Sequence, residues 1–190
     1  MNTAIVNINK LVNKKRFITS TVTEYAEFVL LCTIAIAIPL VIRHPQLFVG
    51  ISVNLALILT AVNMKGWFKV IPLIMLPSIA ALVGGFLFGS LTIYLVYLLP
   101  VVWLGNASLV LLMKYLYVYR RVPFLISVPI AAVLKMTILF IVTFMFVLIG
   151  ILPELFLSIM GIMQFTTAFL AGIIAFPVTL VYKRRYCMCK

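Results

Sequence analysis

Carboxylates are almost missing from this chain. Glu24, Glu27 and Glu154 are the whole set in 190 residues, and there is no aspartate. A hydrolase built on paired carboxylates, or a magnesium or calcium cage, needs several acidic oxygens in one place, so both classes are excluded. Histidine occurs once, at His44, and cysteine three times, at Cys32, Cys187 and Cys189. That spacing gives neither a disulfide framework nor a pair of zinc knuckles, and no metal or cofactor is expected. Cys187 and Cys189 stand beside a basic cluster, which suits either ordinary tail residues or palmitoylation. No GxxxxGK[ST] stretch is present to cradle a nucleotide phosphate.

What fills the chain is apolar. Hydrophobic residues make up 66% and charged ones 9%, with a mean hydropathy of +1.30. These values predict an all-α integral membrane protein rather than a soluble domain. Its most telling stretch is 122–152, apolar throughout except for Lys135 near the middle. At about 1.5 Å per residue, Lys135 lies roughly 20 Å from either end, in a hydrocarbon layer only about 30 Å thick. An ammonium left at that depth costs at least about 2.5 kcal/mol, so it must face protein, water or a ligand.

Six apolar runs are bounded by charge, proline or glycine: 25–42, 47–62, 70–88, 91–113, 122–152 and 155–182. The longest two have room to tilt, or to kink at Pro129 or Pro177. Residues 1–24 carry Lys10, Lys14, Lys15 and Arg16 among Ile5, Ile8, Leu11 and Val12, and read as an amphipathic segment on the membrane surface. Residues 183–190 form a basic tail.

The cations divide by side. Lys10, Lys14, Lys15, Arg16, Lys65, Lys69, Lys114, Arg120, Arg121, Lys183, Arg184, Arg185 and Lys190 fall on the side of the termini, against Arg43 alone on the other. Both termini are therefore expected in the cytoplasm. Juxtamembrane placement and anionic lipid account for the net charge of +12 without nucleic acid as a partner. The outer connections are short, and no segment is long enough for an ATPase domain.

Three further spans carry a strongly polar side chain away from their ends: Asn54, Asn106 and Gln164. Lipid cannot satisfy their hydrogen bonds, so with Lys135 they are expected to face one another. Gly161, Ala168, Gly172 and Ala175 share a face with Gln164 and allow close approach, while Ala131 and Ala132 leave space beside the Lys135 stem. Trp103, three residues before Asn106, offers a flat wall to a ligand or simply packs. The amides serve either a ligand or helix association. Lys135 is either neutral and bonded to a backbone carbonyl, or charged and facing an anion. No carboxylate lies at its depth, so an anion would have to come from the ligand. His44 and Gln46, in the first outer connection, are solvated loop residues or a lid.

On these stretches the chain resembles the substrate-binding S component of an energy-coupling factor (ECF) transporter. The resemblance lies in HPQLFVGISVNLALILTA at 44–61, LPSIAALVGG at 76–85, LPVVWLGNASLVLL at 99–112, AAVLKMTILF at 131–140 and MQFTTAFLAGIIAF at 163–176. It implies six helices that capture a vitamin or other micronutrient from outside a prokaryotic plasma membrane, beneath a lid after the first helix. It also implies partners, namely a transmembrane T component and two cytoplasmic ATPases. Docking in that family uses an AxxxA-like motif on the first helix, where this chain has Thr33 and Ala37 with Ala35 between them.

The sequence thus reads as a binding subunit, not an enzyme, with Asn54, Trp103, Asn106, Lys135 and Gln164 as ligand contacts. The alternatives are a structural subunit of a membrane complex, a redox subunit and a lipid-modifying enzyme. The redox subunit would need cysteines in two spans, and only Cys32 is intramembrane. The enzyme lacks acidic and histidine residues to work with.

Overall fold

The computed structural model describes residues 7–42, 45–85 and 89–186. Among these residues the regular structure is helical, with no strand. A short helix α1 (Ile8–Val12) precedes α2 (Thr21–Val41), α3 (Gln46–Asn63) and α4 (Trp67–Gly84). A 3₁₀ turn at Gly89–Tyr94 leads into α5 (Leu95–Met113), whose final turn widens to π geometry over Lys114–Tyr119. Then follow α6 (Phe124–Leu148), α7 (Leu155–Met160) and α8 (Ile162–Arg185). Six segments are long and apolar enough to span a bilayer: α2, α3, α4, the continuous stretch Leu91–Tyr119, α6, and α7 with α8. This is a multi-pass membrane protein.

Hydropathy alone sets most of these boundaries, and local chemistry trims them. Ser20 caps α2 by accepting a hydrogen bond from the Thr23 amide at 3.1 Å. Pro129 and Pro177 lie inside α6 and α8, and neither interrupts its helix. The break in the sixth span falls instead at Gly161 (φ −96°, ψ −108°), between α7 and α8. There a β-carbon would stand 2.6 Å from the Leu157 carbonyl oxygen, so only glycine fits.

Around the bundle the neighbours run α2, α4, α5, α6, α8, α3 and back to α2, and α3 also touches α4 and α5. Consequently α3 is the most enclosed span, with Asn54, Leu57, Ile58, Ala61 and Val62 all buried. The small-residue stripe of α8 packs inward as expected. A β-carbon on Gly172 would collide with the Val128 side chain of α6, so these two helices meet at backbone distance. Outward faces carry Val29, Leu104, Ile130, Val133, Met145 and Ile173, which suits lipid.

The amino-terminal segment departs from the surface placement expected of it. Leu11, Val12 and Phe17 are buried, and Phe17 meets the Tyr182 ring at 5.8 Å. Residues 7–19 form a strap tucked under the end of the bundle that carries the termini. Its amide at Arg16 donates to the Val62 carbonyl at 2.8 Å, and the Gly66 amide donates to the Val12 carbonyl at 3.2 Å. Alternating apolar residues in a basic segment suit a bilayer surface and a protein groove equally, and here the groove wins.

Two of the juxtamembrane cations also lie inside. Lys114, fully buried, donates to the backbone carbonyls of Met64 (2.6 Å) and Lys14 (2.8 Å), tying α5 to the strap. Lys69 is buried on α4 and pairs with Glu24 at 2.8 Å. Lys114→Met leaves two carbonyls without their donor, a cost of about 1–3 kcal/mol. The expected result is a loosened strap, read as faster tryptic cleavage after Lys14, Lys15 and Arg16 than in the parent protein.

Candidate functional site

Midway along the bundle a polar layer separates two apolar clusters. One cluster, around Leu57, Leu73, Leu109, Val128 and Ala171, fills the end near the termini. The other, around Leu98, Leu139, Phe156 and Met160, fills the far end. Between them sits Lys135, 2% exposed. Its Nζ donates to Asn54 Oδ1 at 2.6 Å and to Asn106 Oδ1 at 2.8 Å.

Each amide is in turn held from its other side. Asn54 Nδ2 donates to Thr167 Oγ1 of α8 at 3.0 Å, and Asn106 Nδ2 donates to the Ile74 carbonyl of α4 at 3.0 Å. Thr167 passes its own proton to the Met163 carbonyl at 2.8 Å. The chain of bonds therefore crosses α4, α5, α6, α3 and α8. Both amides are fixed in orientation, because one N–H of each is held on the far side and the oxygen is turned to the lysine. These two oxygens are the acceptors that Lys135 Nζ has, and among the described residues no third one takes a bond from it.

Beside this layer lies a cavity of about 110 Å³, lined by Asn54, Asn106, Lys135, Gln164, Thr167 and Ser78 together with an apolar majority that includes Val53, Leu95, Val102, Ile159 and Met163. It occupies the half of the bundle away from the termini, and Pro39 and Gln46 also line it. A dry cavity of about 150 Å³ accepts benzene, so this space suits a small ligand or one end of a larger one. None of the described lining residues is a carboxylate.

The chain matches no known protein-family model, no curated protein and no solved structure. The site must be read from its own geometry.

Asn54, Asn106 and Lys135 come together as expected, and the partners of Lys135 are side-chain amide oxygens rather than a backbone carbonyl. Gln164 lines the same cavity, but its nearest bonding contact is a loose one to Met160 Sδ at 4.0 Å. Trp103 does not line the cavity. Its indole N–H donates to Ser78 Oγ at 2.8 Å, so it holds a lining residue in place instead of walling a ligand. Gln46 lines the cavity, whereas His44 falls outside the described residues, as do Cys187 and Cys189. On α2, Thr33 and Ala37 face outward and Ala35 is fully buried. Ala35 cannot meet a docking partner, because residues two apart on a helix point to different faces.

Thr167 and Ser78 carry real parts of the site and were not singled out from the sequence. A threonine within an apolar span is ordinary, since its hydroxyl bonds back to its own helix. The available signal was position: Thr167 is three residues after Gln164 and so shares its face.

Proposed function

We propose that this protein is the substrate-capture subunit of an ECF-type uptake transporter, and that its ligand is a small anionic nutrient. The observation that supports this reading best is a cavity beside a buried lysine with no carboxylate among the described lining residues; in this reading the lysine is charged when the ligand is bound. Charge balance then calls for a ligand bearing one negative charge. The apolar majority of the lining suits an apolar body attached to that charge. An amide-bearing ligand is less favoured, because the oxygens of Asn54 and Asn106 are already turned to Lys135 and one N–H of each to Thr167 or Ile74. Binding of this kind needs no reactive group, and the chain is read as a non-enzyme. With both termini cytoplasmic, the cavity half of the bundle faces outward, and a T component with two ATPases supplies the energy.

A second reading draws on the bonds across five spans, which would also lock the helices of a structural subunit. Neutral interhelical bonds average about 0.6 kcal/mol, so a single buried lysine at a cost of about 2.5 kcal/mol or more is an expensive lock. The deciding experiment is purification of the tagged protein from its native membranes in mild detergent, with mass spectrometry of what accompanies it. A second membrane protein, two ATPases and a small acid are the expected company. A different stable membrane complex without a bound metabolite would overturn the transporter reading.

A further inference from the structure

The two carboxylates at the start of α2 are treated differently by their surroundings. Glu24 accepts from Lys15 Nζ at 2.6 Å and Lys69 Nζ at 2.8 Å, and from the Lys65 backbone amide at 3.3 Å. It has every reason to be ionised. Glu27, one turn on, has no ion pair among the described residues, and its one close hydrogen bond is from Asn63 Nδ2 to its Oε1 at 2.5 Å.

Two atoms are then left over. Glu27 Oε2 and Asn63 Oδ1 are both buried without a hydrogen-bond partner, and Asn63 as a whole is 1% exposed. Carboxyl and amide groups are planar forks of the same shape. When one prong of each is bonded to the other fork, the second prongs are the natural neighbours. If Glu27 were a carboxylate, Asn63 Oδ1 would be buried with no donor, at about 1–3 kcal/mol, and Glu27 Oε2 would have only the Tyr182 hydroxyl of α8 facing its carboxyl. A carboxylic acid carries one O–H donor and supplies the missing bond.

We propose that Glu27 binds a proton, and that this proton closes a two-bond acid-amide ring with Asn63 that clamps α2 to α3. The site is separate from the Lys135 cavity, lies at the opposite end of the bundle, and does not depend on the transport reading. The charged and titratable groups around it agree with this assignment. Lys15 of the strap and Lys69 of α4 are both engaged by Glu24. The guanidinium of Arg16 lies over the Tyr117 ring at 5.0 Å. From α8 the Tyr182 hydroxyl faces the Glu27 carboxyl, with Arg185 nearby. None of these cations forms an ion pair with Glu27: Lys15 acts on it only from its place on Glu24, while the negative charge of Glu24 itself sits one turn away and opposes a second one.

The scarcity of carboxylates makes the test clean, because the chain has only three side-chain carboxyls. Infrared spectroscopy of the full chain at neutral pH, in an ester-free detergent in H₂O and D₂O, reads the carbonyl stretch of a protonated acid directly. The expected result is one deuterium-sensitive acid band in the parent protein and in Glu154→Gln, and none in Glu27→Gln. Absence of the band from the parent, or its survival in Glu27→Gln, overturns the proposal. Asn63→Leu is expected to move the band to higher frequency, since its carbonyl loses a donor. An unmoved band would overturn the ring. Should Asn63→Leu fail to fold, the near-isosteric Glu27→Gln comparison still decides.

Discussion

Lys135→Met is expected to weaken binding of a small monocarboxylate by roughly 100- to 4000-fold. Removing one member of a buried charge pair costs about 3–5 kcal/mol, because the other charge is left desolvated and unpaired, and about 1.4 kcal/mol is a factor of ten. In the parent protein Lys135 is the sole ionisable side chain among the described residues lining the cavity. Its loss leaves the ligand's charge with nothing of opposite sign. The fold should survive, since methionine fills the same apolar path through Ala131 and Ala132 without a buried charge, and what is lost is a donor to each of two amides. The measurement is a thermal-shift screen of small monocarboxylates on the parent, then calorimetry on both proteins with the best of them. Equal affinity in Lys135→Met would sink the ion-pair assignment, provided that melting shows both proteins folded.

The second large effect concerns stability. Glu24→Ala is expected to lower unfolding free energy by about 3–5 kcal/mol, a large share of the margin of an ordinary domain. Glu24 joins three pieces of chain that are far apart in sequence: the strap through Lys15, α4 through Lys69, and the turn before α4 through the Lys65 amide. The side chains of Lys15 and Lys69 are only 10% and 8% exposed in their pairs, so solvent cannot take over the role of the carboxylate. Replacing all three members together, as Glu24→Leu, Lys15→Met and Lys69→Met, should recover much of the loss, because no charge is then buried alone. Denaturant unfolding in detergent micelles reads both results. A Glu24→Ala protein as stable as the parent would show the triad to be energetically idle.

Much of this arrangement was legible before any coordinates. Six spans follow from hydropathy, since a bilayer leaves few other ways to bury so many apolar side chains. That Lys135 would gather Asn54 and Asn106 follows from the inability of lipid to satisfy them. What escaped the sequence were the partners. Whether a buried lysine meets a main-chain carbonyl, an amide or a ligand depends on helix rotation and tilt, which apolar spans with little amphipathic contrast do not encode. Three residues from Asn106, Trp103 suits either a ligand wall or packing, and its N–H reaches Ser78 of another helix. Lys114 closes an apolar run and is expected at the membrane surface, yet its side chain turns back inside. The strap was missed for the same reason: short basic segments with a few apolar residues say only that they avoid water on one side.

The layer that joins Asn54, Asn106, Lys135 and Thr167 also has a direction in time. A chain synthesised from its amino terminus delivers these residues to the membrane in that order, on the second, fourth, fifth and sixth spans. The two amides arrive first and cost less to insert than a charge would. By the time the lysine leaves the ribosome, both of the oxygens that will receive it already belong to spans made before it. The threonine on the last span then fixes the amide of the earliest. The most expensive residue to place in lipid thus enters a nascent bundle that already holds its acceptors, and the final span seals the arrangement behind it.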